Sequence, residues 1–339
     1  MKLALIVRTL GTHGGTERFV HGLATWLLRA GHDVDVWCAA VTEPIPGVRV
    51  QPLRVRARGR AWKLWALHRA AARVPHAPYD CVLGFVRGGA PTIYRAGGGC
   101  HAAFLERTGR RGPSERLEAW LDRSVVQAAG RVVVNSRMAG EELARLYGLS
   151  ASRTHLIYNG VDLDRFRPGQ RGTAIGFLGT GFRRKGLETA LRAVARVPGA
   201  ELVVMGRDPN PARYARLAGA LGIAQRVRFL GAVDQPEAVL RTLGVMVLPT
   251  RYDPFANACL EAMACGVPVV TSAANGAAEV LPEPWLSVAD PADDAAFAAA
   301  LVRALQDRGL GARCRDVAER LPAAGAFQKL HDLIQGTLL

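Results

Sequence analysis

Three short stretches carry residue types that can handle an anion. Gly179–Gly186 reads GTGFRRKG and follows an apolar run, which puts Arg183, Arg184 and Lys185 at a strand-to-helix turn. Cations in such a turn can neutralise a pyrophosphate, the guanidinium forking onto oxygens and the ammonium acting as a point charge. Lysine occurs only at Lys2, Lys63, Lys185 and Lys329, so the one in this turn is not a product of composition. The spacing is not that of a G-x-x-x-x-G-K-[ST] nucleotide loop, and a solvated basic turn is the plain structural alternative.

The stretch Arg251–Val270, RYDPFANACLEAMACGVPVV, is the most informative. Pro254 disfavours helix at Asp253, so the acid belongs to a loop leading into a helix that starts near Ala256 or Asn257. Glu261 then lies within that helix, and the backbone N–H groups of Phe255–Ala258 point outward as a place for phosphate. On one continuous helix the two acids would be about 80° apart, so a shared face does not explain them. A loop acid and a helix acid can grip different parts of one ligand. Structurally, Asp253 can instead be a charge favoured by the helix dipole and Glu261 a surface residue.

The first turn, Gly11–Arg18, reads GTHGGTER; Gly14 and Gly15 allow close backbone approach before a helix opening at Thr16. It departs from G-x-G-x-x-G, which disfavours a dinucleotide site. Two features are set aside. Asp162 and Asp164 form a D-x-D inside a turn-rich segment, and Cys100 beside His101 reads as a small loop residue rather than a thiol nucleophile.

The elements that must hold these stretches alternate. Lys2–Val7, a helix over Thr16–Ala30 and Asp33–Ala39 form a βαβ start. Strands at Cys81–Phe85, Ile93–Ala96 and Arg131–Asn135 follow, with helices over Ser114–Ala129 and Ser136–Tyr147. Leu156–Pro168 is a linker, after which the pattern restarts. Strands are expected at Ala174–Leu178, Glu201–Met205, Arg226–Leu230, Val245–Leu248 and Val267–Thr271, with helices over Gly186–Arg196, Pro211–Leu221, Pro236–Thr242 and Ala256–Ala264. From Pro291 the chain is helical, broken at Gly309 and at Pro322–Gly325. The fold class is α/β, two Rossmann-like doubly wound domains facing a central cleft, because such sheets bind ligands at the carboxyl ends of their strands. The expected boundaries are 1–158, 159–320 and a C-terminal helix over 321–339 returning to the first domain.

Composition agrees. At 339 residues and 49% apolar side chains the chain can build two cores. Six cysteines without a C-x-x-C pair fit a reducing cytosol. Leu3–Val7 is too short for a signal-peptide core, and no run reaches the roughly eighteen apolar residues of a membrane span. The net charge of +15 favours anionic partners, and Arg54, Arg56, Arg58, Arg60 and Lys63, with Arg107, Arg110, Arg111 and Arg116 and the nearby Trp62 and Trp65, suit an anionic membrane surface or a phosphorylated acceptor. Nucleic-acid binding has only charge behind it and no motif.

Together GGTER, NSRMAGEELARLYG at Asn135–Gly148, YNGVD at Tyr158–Asp162, the RKG at Arg184–Gly186 and DPFANACLEAMACGVPVV resemble the GT-B glycosyltransferases of family 4, in particular the lipopolysaccharide-core glucosyltransferase type. The resemblance spans nearly the whole chain. It implies a retaining transfer of a hexose from a nucleotide-diphosphate sugar, linked to UDP, GDP or ADP, to a hydroxyl of a glycan or glycolipid, without a metal or other cofactor. The protein would work in cell-surface polysaccharide or lipopolysaccharide-core synthesis, in the cytoplasm and peripherally on the inner face of the bacterial cytoplasmic membrane.

By the same resemblance, Gly14, Gly15 and Gly179 lie by the donor phosphate, and Arg184 with Lys185 hold the pyrophosphate. Glu261 takes the ribose hydroxyls, Asp253 faces the transferred sugar in place of a family Glu, and N–H groups of Phe255, Ala256 and Asn257 meet sugar or phosphate. Phe229 and Leu230 flank the base, His101 approaches the sugar, and Gly15, Thr16 and His101 border the acceptor. The shorter Asp253 leaves donor choice open, whereas Thr180, where many relatives carry Arg, fits the lipopolysaccharide-core branch. A sugar-nucleotide epimerase of the same fold and a non-catalytic sugar-nucleotide-binding protein are the alternatives.

Overall fold

The computed structural model describes residues 1–338; Leu339, the last residue of the segment expected at 321–339, lies outside them. The chain divides into two compact units, Met1–Tyr158 with the stretch from Ala324 onward, and Asn159–Ala323.

The strands of the first unit are β1 Lys2–Ile6, β2 Thr9–Leu10, β3 Asp33–Cys38, β4 Ala40–Val41, β5 Arg49–Pro52, β6 Cys81–Gly84, β7 Ile93–Arg95, β8 Arg131–Val134 and β9 Thr154–Leu156. Among the described residues the main sheet has seven parallel strands in the order β5-β3-β1-β6-β7-β8-β9, while β2 pairs with β4 alone. Leu3, Ala4 and Leu5 of β1 are fully buried, as a parallel strand covered on both faces requires. The helices are α1 Gly15–Arg29, α2 Arg60–Ala71, α3 His101–Thr108, α4 Pro113–Ala128 and α5 Arg137–Tyr147. In α1, Val20, Leu23, Ala24 and Leu27 form the buried stripe at helical spacing, each large side chain contributing about 1.5–3 kcal/mol. The NSRMAGEELARLYG motif is a helix with both ends capped: the Ser136 hydroxyl accepts from the Ala139 N–H at 3.1 Å, and Gly148 closes it at φ 71°.

The final helix, Ala323–Leu338, packs on this unit through Phe327, whose ring meets Phe19 edge-on at 5.3 Å. It starts directly after Pro322 and runs through Gly325, so the expected break over Pro322–Gly325 shrinks to its first residue. Its His331 Nε2 is 2.9 Å from His32 Nε2, and Arg131 donates to the carbonyl of Gly336 at 2.6 Å.

Burial holds the imidazoles of His32, His68, His101 and His155 below the ordinary histidine range, desolvation being the largest cause in each. A histidine with a lowered folded pKa takes up protons preferentially when unfolded. Its contribution is therefore present above a pH of about 6.5, the unfolded value, and is lost as pH falls from there through the lower folded value. Calorimetry between pH 7.5 and 5.5 is expected to show the first unit melting at progressively lower temperature, with a shallower slope in His32→Gln. A slope unchanged by that substitution would remove His32 from the account.

The second unit holds β10 Ile175–Leu178, β11 Leu202–Met205, β12 Val227–Gly231, β13 Val245–Leu248, β14 Val269–Ser272 and β15 Ser287–Val288. They form a parallel sheet in the order β12-β11-β10-β13-β14-β15. Its helices are α6 Phe182–Lys185, α7 Leu187–Ala195, α8 Pro211–Ala220, α9 Pro236–Leu240, α10 Asn257–Ala264, α11 Asp294–Gln306 and α12 Leu310–Glu319. The expected linker is partly tied down, since Val161 donates to the carbonyl of Leu321 at 3.0 Å and accepts from the N–H of Ala323 at 2.9 Å. No helix among the described residues is long and apolar enough to cross a membrane.

Candidate functional site

In the second unit the strand order reverses at β10, which lies between β11 and β13. Loops leaving the carboxyl ends of β10 and β13 therefore rise side by side, the place where open parallel sheets take ligands. Two glycines bring these loops, and the one after β11, into contact. Gly186 has φ 80°, and a Cβ there would come 1.9 Å from the carbonyl oxygen of Pro249; one on Gly206 would come equally close, 1.9 Å, to that of Gly179. Gly186 also ends α6, so the helix expected over Gly186–Arg196 is preceded by a separate turn of helix carrying Arg184 and Lys185.

This contact brings the two basic residues onto the loop acid. Lys185 Nζ donates to Asp253 Oδ2 at 2.7 Å, and Arg184 Nη1 donates to the same oxygen at 2.8 Å and to the carbonyl of Tyr252 at 3.0 Å. Lys185 and Asp253 are each only 7% exposed. Burial alone would raise the Asp253 pKa, but the charges of Lys185 and Arg184 outweigh it and hold the carboxyl below its ordinary range. The acid is thus an ion at neutral pH with both oxygens engaged, since Oδ1 accepts from the Phe255 N–H at 3.2 Å.

Asp253 is itself clamped to the loop after β14. Its N–H donates to the carbonyl of Ala274 at 3.0 Å and its carbonyl accepts from Gly276 at 2.9 Å. Asn275, in this clamp, was not singled out from sequence, although its place before Gly276 after a strand marks a turn. Its Oδ1 accepts from the N–H groups of Ala256 and Ala277, both at 3.1 Å, while its Nδ2 donates to Thr271 Oγ1 at 2.9 Å. Here the structure corrects the expectation for the helix start: the amides of Phe255 and Ala256 are bonded inward to Asp253 and Asn275 rather than pointing outward. Helix α10 begins at Asn257 without a side-chain cap on its amides, and Asn257 Oδ1 accepts from Asn159 Nδ2 at 2.6 Å. Glu261 is buried at 7% exposure, which sets aside its reading as a surface acid. Phe229 and Leu230 lie on the edge strand β12, exposed at 37% and 42%.

In the first unit Gly14 precedes α1 with φ 104°, where a side chain would be strained, and Gly15 is the first residue of that helix. The glycine loop before His101 reaches this turn: a Cβ on Gly97 would lie 4.0 Å from Thr16 Oγ1. His101 opens α3 but turns its ring inward. It is 5% exposed, with Nε2 3.1 Å from Glu115 Oε2, and its backbone N–H donates to Asp122 Oδ2 at 2.8 Å.

His101, Glu115 and Glu118 offer ligand atoms close enough together for a metal ion. Those carboxylates already hold cations: Arg60 and Arg110 meet Glu115 at 2.5 and 3.1 Å, and Arg87 and Arg60 meet Glu118, each at 2.6 Å. The D-x-D is a local turn in which Asp162 Oδ1 accepts from the N–H groups of Asp164 and Arg165, both at 3.0 Å. Cys100 is buried, and desolvation pushes its thiol up to about 11.

A family model described as Glycosyltransferase Family 4 matches residues 13–165, and one described as Glycosyl transferases group 1 matches residues 172–307. The chain is 32% identical over 183 residues to the D-inositol 3-phosphate glycosyltransferase of Mycolicibacterium smegmatis, covering 48% of this chain and 42% of that protein. It is likewise 32% identical over 184 residues to its namesake in Mycobacterium tuberculosis, covering 49% of this chain and 38% of that protein. The chain thus spans less than half the length of these curated relatives.

Solved structures that share its fold include three examples. They are WaaG, a glycosyltransferase involved in lipopolysaccharide biosynthesis (TM-score 0.84, 19% identity, 98% of this chain and 100% of that one); sucrose-phosphate synthase from Thermosynechococcus elongatus (0.82, 23%, 99% and 98%); and Anabaena HepE in complex with UDP-glucose (0.76, 17%, 99% and 100%).

Proposed function

Because the chain belongs to the family 4 glycosyltransferases, of the two-domain GT-B type, we propose that it transfers a hexose from a nucleotide-diphosphate sugar to a hydroxyl of a glycan or glycolipid, with retention at the anomeric carbon. One observation carries this reading: Arg184 and Lys185 converge on Asp253 at the carboxyl ends of β10 and β13. In this reading Asp253 holds both cations in place, and they stabilise the charge that develops on the departing diphosphate. Asp253 is ionised with both oxygens engaged, so it is not a free nucleophile for double displacement. This supports front-face return, with the leaving phosphate helping to deprotonate the acceptor.

In the same reading Gly14, Gly15 and Gly179 approach the donor phosphates, Glu261 takes the ribose and Phe229 with Leu230 flank the base. Asn257 meets sugar or phosphate through its backbone N–H, Phe255 and Ala256 line that loop, and Gly15, Thr16 and His101 border the acceptor. No metal is required. The UDP-glucose bound by the Anabaena neighbour supports a uridine-linked donor. A cytoplasmic position, peripheral on the inner face of the bacterial membrane and serving cell-surface polysaccharide or lipopolysaccharide-core synthesis, belongs to this proposal. The exposed Trp62 and Trp120, at 68% and 52%, support the membrane contact. A phosphorylated cyclitol is a second acceptor class, favoured by the name of the curated relatives.

The test is incubation with UDP-, GDP- and ADP-glucose, each with and without lipopolysaccharide-core oligosaccharide or inositol 3-phosphate, followed by mass and anomer analysis. Acceptor-dependent release of the nucleotide with an α-linked product is expected. Conversion of the donor without acceptor would replace the reading by an epimerase, and binding without turnover by a carrier.

A further inference from the structure

The basic residues of the first unit fall into two groups once their partners are known. Arg60, Arg107 and Arg110 are engaged by Glu115, Glu118 and Glu142 and are not available to a ligand. Arg54, Arg56, Arg69 and Arg73 have no carboxylate within ion-pair reach among the described residues, and they gather in one place. Together with Ala66 and Ala70 they line a concavity of about 250 Å³. Arg54 and Arg56 come from the extended segment after β5; positions 66, 69, 70 and 73 recur at helical spacing along α2 and its exit, so they share one face.

The two walls of the hollow rest on one core, while the four arginine side chains that line it are exposed. Leu53, Ala71 and Val74 are buried together, and Val55, Leu67 and Ala70 pack against them. Four guanidinium groups around one hollow repel one another, and no carboxylate among the described residues lies within ion-pair reach of any of them. The alanines keep the space between them clear. A single carboxylate would satisfy one fork. A phosphate group, with up to two charges and three or four tetrahedral oxygens, can accept from several at once.

We propose that this concavity is a binding site for a phosphate-bearing anion, separate from the Arg184–Lys185–Asp253 cluster. The phosphate can belong to a soluble molecule or to a lipid headgroup; the chemistry of the hollow is the same for both.

Two titrations separate these sources. Sodium phosphate is titrated calorimetrically into full-length Lys185→Ala, which lacks the lysine of the second unit's cluster. One phosphate site is expected to remain and to weaken at least tenfold when Arg54→Gln and Arg69→Gln are added, and again when Arg56→Gln and Arg73→Gln are added instead. Arg216→Gln, an exposed arginine elsewhere, is expected to leave it unchanged. In parallel, flotation with phosphatidylcholine vesicles is compared with vesicles containing phosphatidylglycerol. Loss of phosphate binding in both arginine pairs supports the site with a soluble ligand. Loss confined to phosphatidylglycerol vesicles supports it with a headgroup as the source. If neither binding responds to either pair the proposal is overturned, and because donor turnover is not the readout, that result leaves the glycosyltransferase reading standing.

Discussion

Under the proposed transfer, Lys185→Ala is expected to lower kcat/KM for the nucleotide sugar by about 10²–10³, the size of effect on the order of 3–4 kcal/mol seen when a preorganised electrostatic stabiliser is removed. Lys185 is buried and places its ammonium 2.7 Å from Asp253 Oδ2, so its position is set before any ligand arrives. The substitution also leaves the buried Asp253 with Arg184 as its remaining cation partner in this cluster, at 2.8 Å. Breaking a buried pair costs about 3–5 kcal/mol when the survivor is left bare, and less here because Arg184 stays. The expected result is a large fall in turnover with a modest fall in melting temperature. Lys185→Arg should keep the charge but not the compact point geometry, recovering stability more than rate. Steady-state kinetics with melting curves on the same preparations checks this. Full activity in Lys185→Ala would remove the cluster from the catalytic account.

Arg87→Met is expected to have the largest effect on stability. Arg87 Nε donates to Asp122 Oδ1 at 2.9 Å, and Nη1 donates to Glu118 Oε1 at 2.6 Å. Asp122 is fully buried, and Tyr147 OH and the backbone N–H of His101 donate to its other oxygen at 3.1 and 2.8 Å. Without the guanidinium, Asp122 remains as a buried anion held only by neutral donors. The cost is about 3–5 kcal/mol, which for a unit of this size is a drop in melting temperature on the order of 10 °C. Calorimetry should show the transition of the first unit shifted and that of the second in place. Adding Asp122→Asn should restore part of the loss by removing the stranded charge, whereas an equal loss in the double variant would mean that Arg87 acts by packing alone.

Local information set the elements. The apolar run Leu3–Val7, the stripe of α1 and the Ser136 and Gly148 caps of α5 all follow from neighbours a few residues apart, and they were legible for that reason. The segment containing β5 and α2 was not. Arg49–Pro52 forms an exposed edge strand, and α2 has Arg, Trp, Lys and His spread around it, with only Ala71 fully buried, so neither period stands out. His101 was visible as a residue type beside a glycine loop, but its helix and its turn toward Glu115 were not.

By itself, then, the sequence determined the two parallel-sheet units, the family and the residue types gathered in the loops after β10 and β13. Only the tertiary structure decided which charges meet. Lys185 and Asp253 are 68 positions apart, Arg87 and Asp122 35 apart, Arg60 and Glu115 55 apart. Strand order and helix packing bring such pairs within hydrogen-bond distance, and those pairings then decide that a buried acid such as Asp253 stays ionised and which arginines remain for a ligand. Spacing along a chain reports the period of a helix or a strand, and it carries no comparable signal for contacts made across a sheet.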